Sequence, residues 1–478
     1  MDSASIQFIT FGLVVAIFSN LKRSSRWRSA VLLVASFIFI GLLAQDLTSL
    51  LPLAGFLLLG YIGLTFLERN WFKSTVWIST VVIVYLWLKK YTFFPERVLI
   101  HAPYFTLGLS YIFFRVLQLL IEAGAQNEKP RTRLGGYLLY TLNFTTLITG
   151  PIQSYDAFAQ DQFASKPMSL GIRLVGLQLE RIVRGFFKVN VLALLFDMVR
   201  VDALGQLSQQ LPLDLRIFAG FKLAVAYPFF LYANFSGYID IVTALARLMR
   251  VHIPENFDRP FSASSVLDFW NRWHITLSTW LKSYVYNPLL IALMRRFPSS
   301  SLQPVIGVLC FFVTFFLVGV WHGRTSEFIF FGLLTGAGIS INKLWQLGWA
   351  HVMGRKRYKT LASSPVYEAM GRGLTYSWFA FTLLWFWADW DQIHKIFSGL
   401  DTTHWLIVWV AVWLCATLSL ETWERLRPTL LAIKTFEGQP LLFNRYALVV
   451  CASVLGLIAL VMNVMLNQPA PAVVYKAF

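Results

Sequence analysis

Two histidines stand where an imidazole could do chemistry. His322 closes the apolar run FFVTFFLVGVWHG, and His274 lies in the earlier, more polar segment FWNRWHITLS. An imidazole with its ordinary pKa of about 6.5 can take a proton and return one near neutral pH. That suits attack of an alcohol on a thioester, where a hydroxyl proton must leave and a departing thiolate must be protonated. Gly319 and Gly323 flank His322 at i−3 and i+1. Lacking Cβ atoms, they are expected to thin the helix wall so that a substrate can approach. The competing reading is that a lone histidine on an apolar helix is only a buried, hydrogen-bonded group. Other chemistries lack their patterns. No two histidines fall three or four residues apart, so a zinc site is not expected and no metal ligand is assigned. A GxSxG elbow and a GK[ST] phosphate loop are both missing. Cys310, Cys415 and Cys451 lie far apart in apolar stretches and read as small packing residues.

The segment 232–290 is too polar for a membrane span and too apolar for water. Asp240 sits between two isoleucines, while Asp258, Arg259, Asp268, Arg272, His274 and Lys282 are interleaved with Trp, Phe and Tyr. Ionisable groups at membrane depth are expensive, so they should face a cavity or one another. Asp240, Asp258 and Arg259 are expected to share one intramembrane polar network. Asn256, Arg272, Ser278 and Trp321 complete the candidate substrate-binding or polar positions. Gly237, Pro254, Pro260 and Pro288 predict broken, re-entrant backbone around an enclosed or wet space. An interfacial amphipathic helix anchored by Trp270, Trp273 and Trp280 explains the tryptophans but not Asp240. An amphipathic helix forming one wall of a cavity reconciles the two.

The elements that must position these residues are membrane helices. Of 478 residues, 57% are hydrophobic and only 14% charged. Soluble chains carry about 25% charged residues. Apolar runs cover 5–19, 29–44, 50–67, 75–88, 104–121, 136–150, 182–199, 217–245, 305–321, 328–349, 376–390, 406–420 and 446–466. Several are short and read as tilted, re-entrant or half-spanning. The net charge of +17 comes from Lys and Arg clustered between the apolar runs. That is the pattern of cytoplasmic loops, and it leaves no soluble basic face for nucleic acid. Basic clusters at Lys22–Arg28, at Arg69 and Lys73, and at Lys129, Arg131 and Arg133 follow the first, third and fifth runs. The N-terminus is therefore expected outside. Its apolar residues come before the first basic ones, the reverse of a signal peptide, which predicts a retained first helix.

NFSGYID, PENFDRPF, FWNRWHITLSTWLKSYVYNPL and VGVWHG, in this order, resemble the membrane-bound O-acyltransferase family. The likeness is to its bacterial branch, whose members serve alginate and peptidoglycan O-acetylation and teichoic acid D-alanylation. LGLSYIFFR, LITGPIQSYDAF and FTLLWFWADWDQIHKIFSGL are weaker matches, and Asn234 stands where relatives often carry Asp. The resemblance implies an all-α, polytopic fold. It would be a ring of about 11 tilted transmembrane helices, with re-entrant and amphipathic helices around a central tunnel or funnel. It implies one integral membrane domain over residues 1–478, its core at 232–350. His322 takes the place of the family's presumed catalytic base and His274 that of its second signature histidine. The donor would be an acyl thioester used as substrate, acetyl-CoA or an acyl carrier protein, with no bound cofactor. The acceptor would be an extracytoplasmic polysaccharide or a partner protein. The implied partners are a secreted esterase-like protein or a cytoplasmic carrier protein, besides membrane lipid. The setting would be a bacterial cytoplasmic (inner) membrane. D-alanyl transfer from a carrier to teichoic acid is the alternative within the enzymes, and a non-catalytic acyl or glycan transporter the alternative outside them.

Overall fold

A computed structural model describes residues 5–66, 71–125, 132–433 and 445–466. Arg69, Lys129 and Arg131, on which part of the expected orientation leans, lie outside the described residues. Within them the chain is helical, and the sole extended pairing is one antiparallel bridge between Phe257 and Trp273. Six helices among the described residues are long and apolar enough to cross a membrane: Ser25–Leu43, Thr48–Phe66, Leu213–Leu248, Gln303–His322, Ser326–Val352 and Thr402–Ala432. Shorter apolar helices add to them. At about 1.5 Å per residue, a helix of this length matches a hydrocarbon core of about 30 Å. Ile17, Phe66, Leu406, Leu418 and Leu457 are exposed, as lipid-facing side chains must be. The chain divides into two compact units. Among the described residues, one holds those up to 186 together with 237–255, the other 187–236 and those from 256 to 466.

In the first unit, α1 (Ile6–Asn20), α2 (Ser25–Leu43), α3 (Leu51–Phe66), α4 (Trp71–Leu88) and α5 (Leu109–Ala125) precede the short helices α6 (Leu134–Thr141) and α7 (Tyr155–Gln162). A membrane helix was expected over 136–150, but α6 stops at Thr141 and the chain runs on as irregular, fully buried backbone. The cause is local. Asn143 Oδ1 accepts the Thr145 N–H at 3.2 Å and the Thr145 hydroxyl at 2.9 Å, offering the backbone a turn instead of a helix. Buried carbonyls then need donors. Arg115 on α5, itself buried, donates to the carbonyls of Tyr140 at 3.2 Å, Thr141 at 2.8 Å and Thr146. Gly108, at φ +74°, lets Leu147 approach where a Cβ would collide with its carbonyl. The amphipathic α8 (Ile172–Phe187) follows.

The second unit begins with a π-helical turn (Lys188–Ala193) and α9 (Leu194–Leu207). Helix α10 (Leu213–Leu248) runs unbroken through Pro228, Gly237 and Asp240, its residues from Gly237 on belonging to the first unit. The break expected at Gly237 is therefore absent. Within the first unit that glycine's carbonyl packs where a Cβ on Gly185 of α8 would sit, so the residue pair serves close helix packing. Irregular backbone starts only after Leu248. Short helices α11 (Val266–Arg272) and α12 (Ile275–Leu281), a second π-helical turn (Lys282–Tyr286) and α13 (Asn287–Arg296) lead to α14 (Gln303–His322) and α15 (Ser326–Val352). After α16 (Arg355–Ala362), α17 (Pro365–Thr382) ends before a four-residue turn, α18 (Leu384–Trp387), and α19 (Trp390–Ser398). The apolar run at 376–390 is thus not one span. Helix α20 (Thr402–Ala432) packs along α17: a Cβ at Gly373 would overlap Thr417. Helix α21 (Arg445–Leu466) ends the described chain.

Candidate active site

His322 is the last residue of α14 and is buried. Its ring sits in an aromatic box. Trp321 lies 4.7 Å away between centroids, Phe386 of α18 at 5.0 Å and Phe331 of α15 at 6.1 Å. Neighbouring helix fills the space beside the flanking glycines. A Cβ on Gly319 would overlap the backbone of Gly332, and one on Gly323 would overlap the Phe328 ring. These glycines let α15 close tightly on α14, which corrects the expectation that they thin a wall for substrate. Their effect on His322 is indirect: they fix the helix end that carries it.

His274 is buried at the junction of α11 and α12 and has left-handed backbone, φ +45°. A non-glycine residue in that region costs about 1–3 kcal/mol and must be held by its surroundings. The hold is a short pairing of the chain on either side. Asp258 N–H donates to Arg272 O at 2.9 Å, Ile275 N–H donates to Asn256 O at 3.0 Å, and Phe257 faces Trp273. The His274 ring lies T-shaped to Phe235 at 4.9 Å and to Trp321 at 6.4 Å between centroids. Both histidines therefore pack against Trp321. Burial pushes the His274 imidazole well below its ordinary pKa, so it is neutral at pH 7.

Asn256, fully buried, is the link to α12: its Oδ1 accepts the Thr276 N–H at 3.0 Å and the Thr276 hydroxyl at 2.8 Å, and lies 3.3 Å from His274 Nδ1. Ser278, one turn along α12, is half-buried, and its N–H donates to His274 O at 3.1 Å. Lys282 is exposed.

The charged residues expected in one network fall into separate groups. In the first unit Asp240 accepts Arg181 Nε at 2.9 Å and lies 3.7 Å from Arg184 Nε, while Arg181 grips Glu255 with both terminal nitrogens at 2.7 and 2.6 Å. In the second unit Asp258 is 64% exposed and lies 3.6 Å from Arg259 and 3.9 Å from Arg272. Arg272 pairs at 3.0 Å with Asp268 one turn back, and Arg259 reaches Glu424 of α20 at 3.4 Å. Asp258 stays near water because the bridge Phe257–Trp273 turns the alternate residue outward. The sequence reading missed the partner ions. Arg181 hides in an amphipathic helix, and Arg372, which pairs with Glu421 and donates to Ser262 O at 3.1 Å, hides between two glycines. It also missed Phe386 against His322, for which the sequence offers only the weak match of the 381–400 segment.

The family model described as MBOAT, membrane-bound O-acyltransferase, matches residues 37–386, a span that includes both histidines and ends on Phe386. The chain is 32% identical over 241 residues to a teichoic acid D-alanyltransferase of Streptococcus thermophilus, covering 50% of this chain and 57% of that protein. It is 28% identical over 338 residues to a probable alginate O-acetylase of Pseudomonas putida, covering 66% of each. A peptidoglycan O-acetyltransferase of Helicobacter pylori is 30% identical over 210 residues, covering 44% of this chain and 37% of that protein. These matches span from about a third to two thirds of the relatives' lengths. With most of its length matched and two buried histidines packed on one tryptophan inside that match, the chain belongs to the membrane-bound O-acyltransferase family.

Proposed function

We propose that this chain transfers an acyl group, acetyl in the leading reading, from a cytoplasmic thioester to hydroxyls of an extracytoplasmic polymer. The observation that carries this is the pair of imidazoles, His274 and His322, brought onto the same indole in a buried setting. His322 removes the proton as the acceptor oxygen bonds to the acyl carbon. The tetrahedral intermediate collapses, the carbon–sulfur bond breaks, and the thiolate takes that proton back from the imidazolium. His274 orients the reactants. The N-terminus outside and the basic loops inside would place donor and acceptor on opposite faces, and the irregular segment after Leu248 is where the chain departs from a full span. A second reading, D-alanyl transfer from a carrier protein, is favoured by the 32% identity to the Streptococcus thermophilus protein. The test uses purified protein with radiolabelled acetyl-CoA or D-alanyl carrier and a polysaccharide or teichoic acid acceptor. His322→Ala should stay folded in detergent and lose turnover by about 10²–10⁴-fold. Near wild-type turnover in that variant refutes the assignment, and the donor that is consumed separates the two readings.

A further inference from the structure

The two nitrogens of a neutral imidazole differ, and the protein decides which carries the hydrogen. At His274 the decision can be traced through Asn256. The Thr276 backbone N–H, 3.0 Å from the Asn256 side chain, can only donate, so the atom it meets there must be the amide oxygen. The Thr276 hydroxyl at 2.8 Å donates to the same atom. Turning the amide over would set NH2 against the Thr276 N–H, donor against donor, and strip that N–H of its acceptor, whereas the orientation present leaves only Asn256 Nδ2 without a partner. The oxygen in turn can only accept. The His274 nitrogen that faces it at 3.3 Å, Nδ1, therefore carries the hydrogen, and Nε2 on the far side of the ring keeps the lone pair. The strained backbone at His274, the Ile275 N–H bond to Asn256 O and the T-shaped contact with Phe235 hold the ring in this orientation.

We propose that Asn256 is a positioning residue that fixes His274 as its Nδ1–H tautomer and so makes Nε2, not Nδ1, the ring's hydrogen-bond acceptor. This rests on the reading of His274 as part of the acyl-transfer site.

The direct test is the ring 15N spectrum of His-labelled protein in lipid, with His274 assigned by its loss in His274→Asn. Nδ1 protonated and Nε2 bare is the expected pattern. Nε2 protonated in the wild type overturns the proposal, whatever the protein's activity. Asn256→Ala should mix the tautomers and lower kcat by about 10–100-fold, the range for outer partners that orient a histidine, with the donor KM unchanged. An unchanged tautomer and unchanged kcat in that variant overturn it as well. Should Asn256→Ala fail to fold, Asn256→Asp decides. Its carboxylate still accepts both bonds but favours the imidazolium, so the acid limb of the pH–kcat/KM profile should move to higher pH. An unmoved limb counts against the lock. Full transfer by His322→Ala would instead overturn the site reading and leave the tautomer result standing.

Discussion

Removing one side of the Arg181–Asp240 pair should cost more than removing the other, and the geometry says which. Both side chains are largely buried, 16% and 10% exposed. Breaking a buried pair by deleting one partner costs about 3–5 kcal/mol, because the survivor is an uncompensated charge. The survivors here are unequal. In Asp240→Ala, Arg181 keeps both bonds to Glu255, so the loss is that of one charged hydrogen bond, about 1.5–3 kcal/mol. In Arg181→Met, Asp240 is left with Arg184 at 3.7 Å, and a cost of about 3–5 kcal/mol is expected. Glu255, 57% exposed, returns to water at little cost. The double variant Arg181→Met/Asp240→Leu should be less destabilised than the sum of the singles, with a coupling of about 1–3 kcal/mol. Thermal and SDS unfolding in micelles read these values. Equal losses for the two single variants, or a larger loss for Asp240→Ala, would refute the account of Arg181 as the hub.

His274→Asn keeps a donor near Nδ1 but lacks Nε2. In one transfer assay it should leave more residual activity than His322→Asn, and the reverse order would exchange their roles. Gly319→Val should lower unfolding stability by about 1–3 kcal/mol through overlap with Gly332, and displace His322 three residues on. A variant with wild-type stability would contradict the close α14–α15 packing. Single cysteines at Ser24 and Thr132, in a background lacking Cys310, Cys415 and Cys451, should react with an impermeant thiol reagent only after the membrane is opened. Labelling in intact cells would invert the orientation.

The helical, membrane-spanning character was legible in the sequence, because long apolar runs have few alternatives in lipid. The helices around His322 fell close to the apolar runs that announced them. Where the runs misled, at 136–150, 376–390 and Gly237, the deciding bonds were either very local or very distant. Asn143 stopped a helix through its own neighbours, but the loop it started is tolerable only because Arg115, far back in the chain, supplies donors to its carbonyls. Nothing in the 136–150 residues announces that.

The candidate site divides in the same way. His322 and His274 stood out in the sequence because an imidazole between glycines, or among Arg and Trp, is an uncommon residue in an apolar context. The sequence thus determined which imidazoles stand in an apolar context and that the chain around them is built of membrane helices. Only the tertiary structure decided what those groups face. It put both rings on Trp321, gave Asp240 to Arg181 and Asp258 to water, and used Gly319 for helix packing rather than for access. The reason is physical. Availability is a property of residue type and local hydrophobicity, whereas the direction of a hydrogen bond or the partner of a buried charge is set by side chains that only the folded chain brings within about 3 Å.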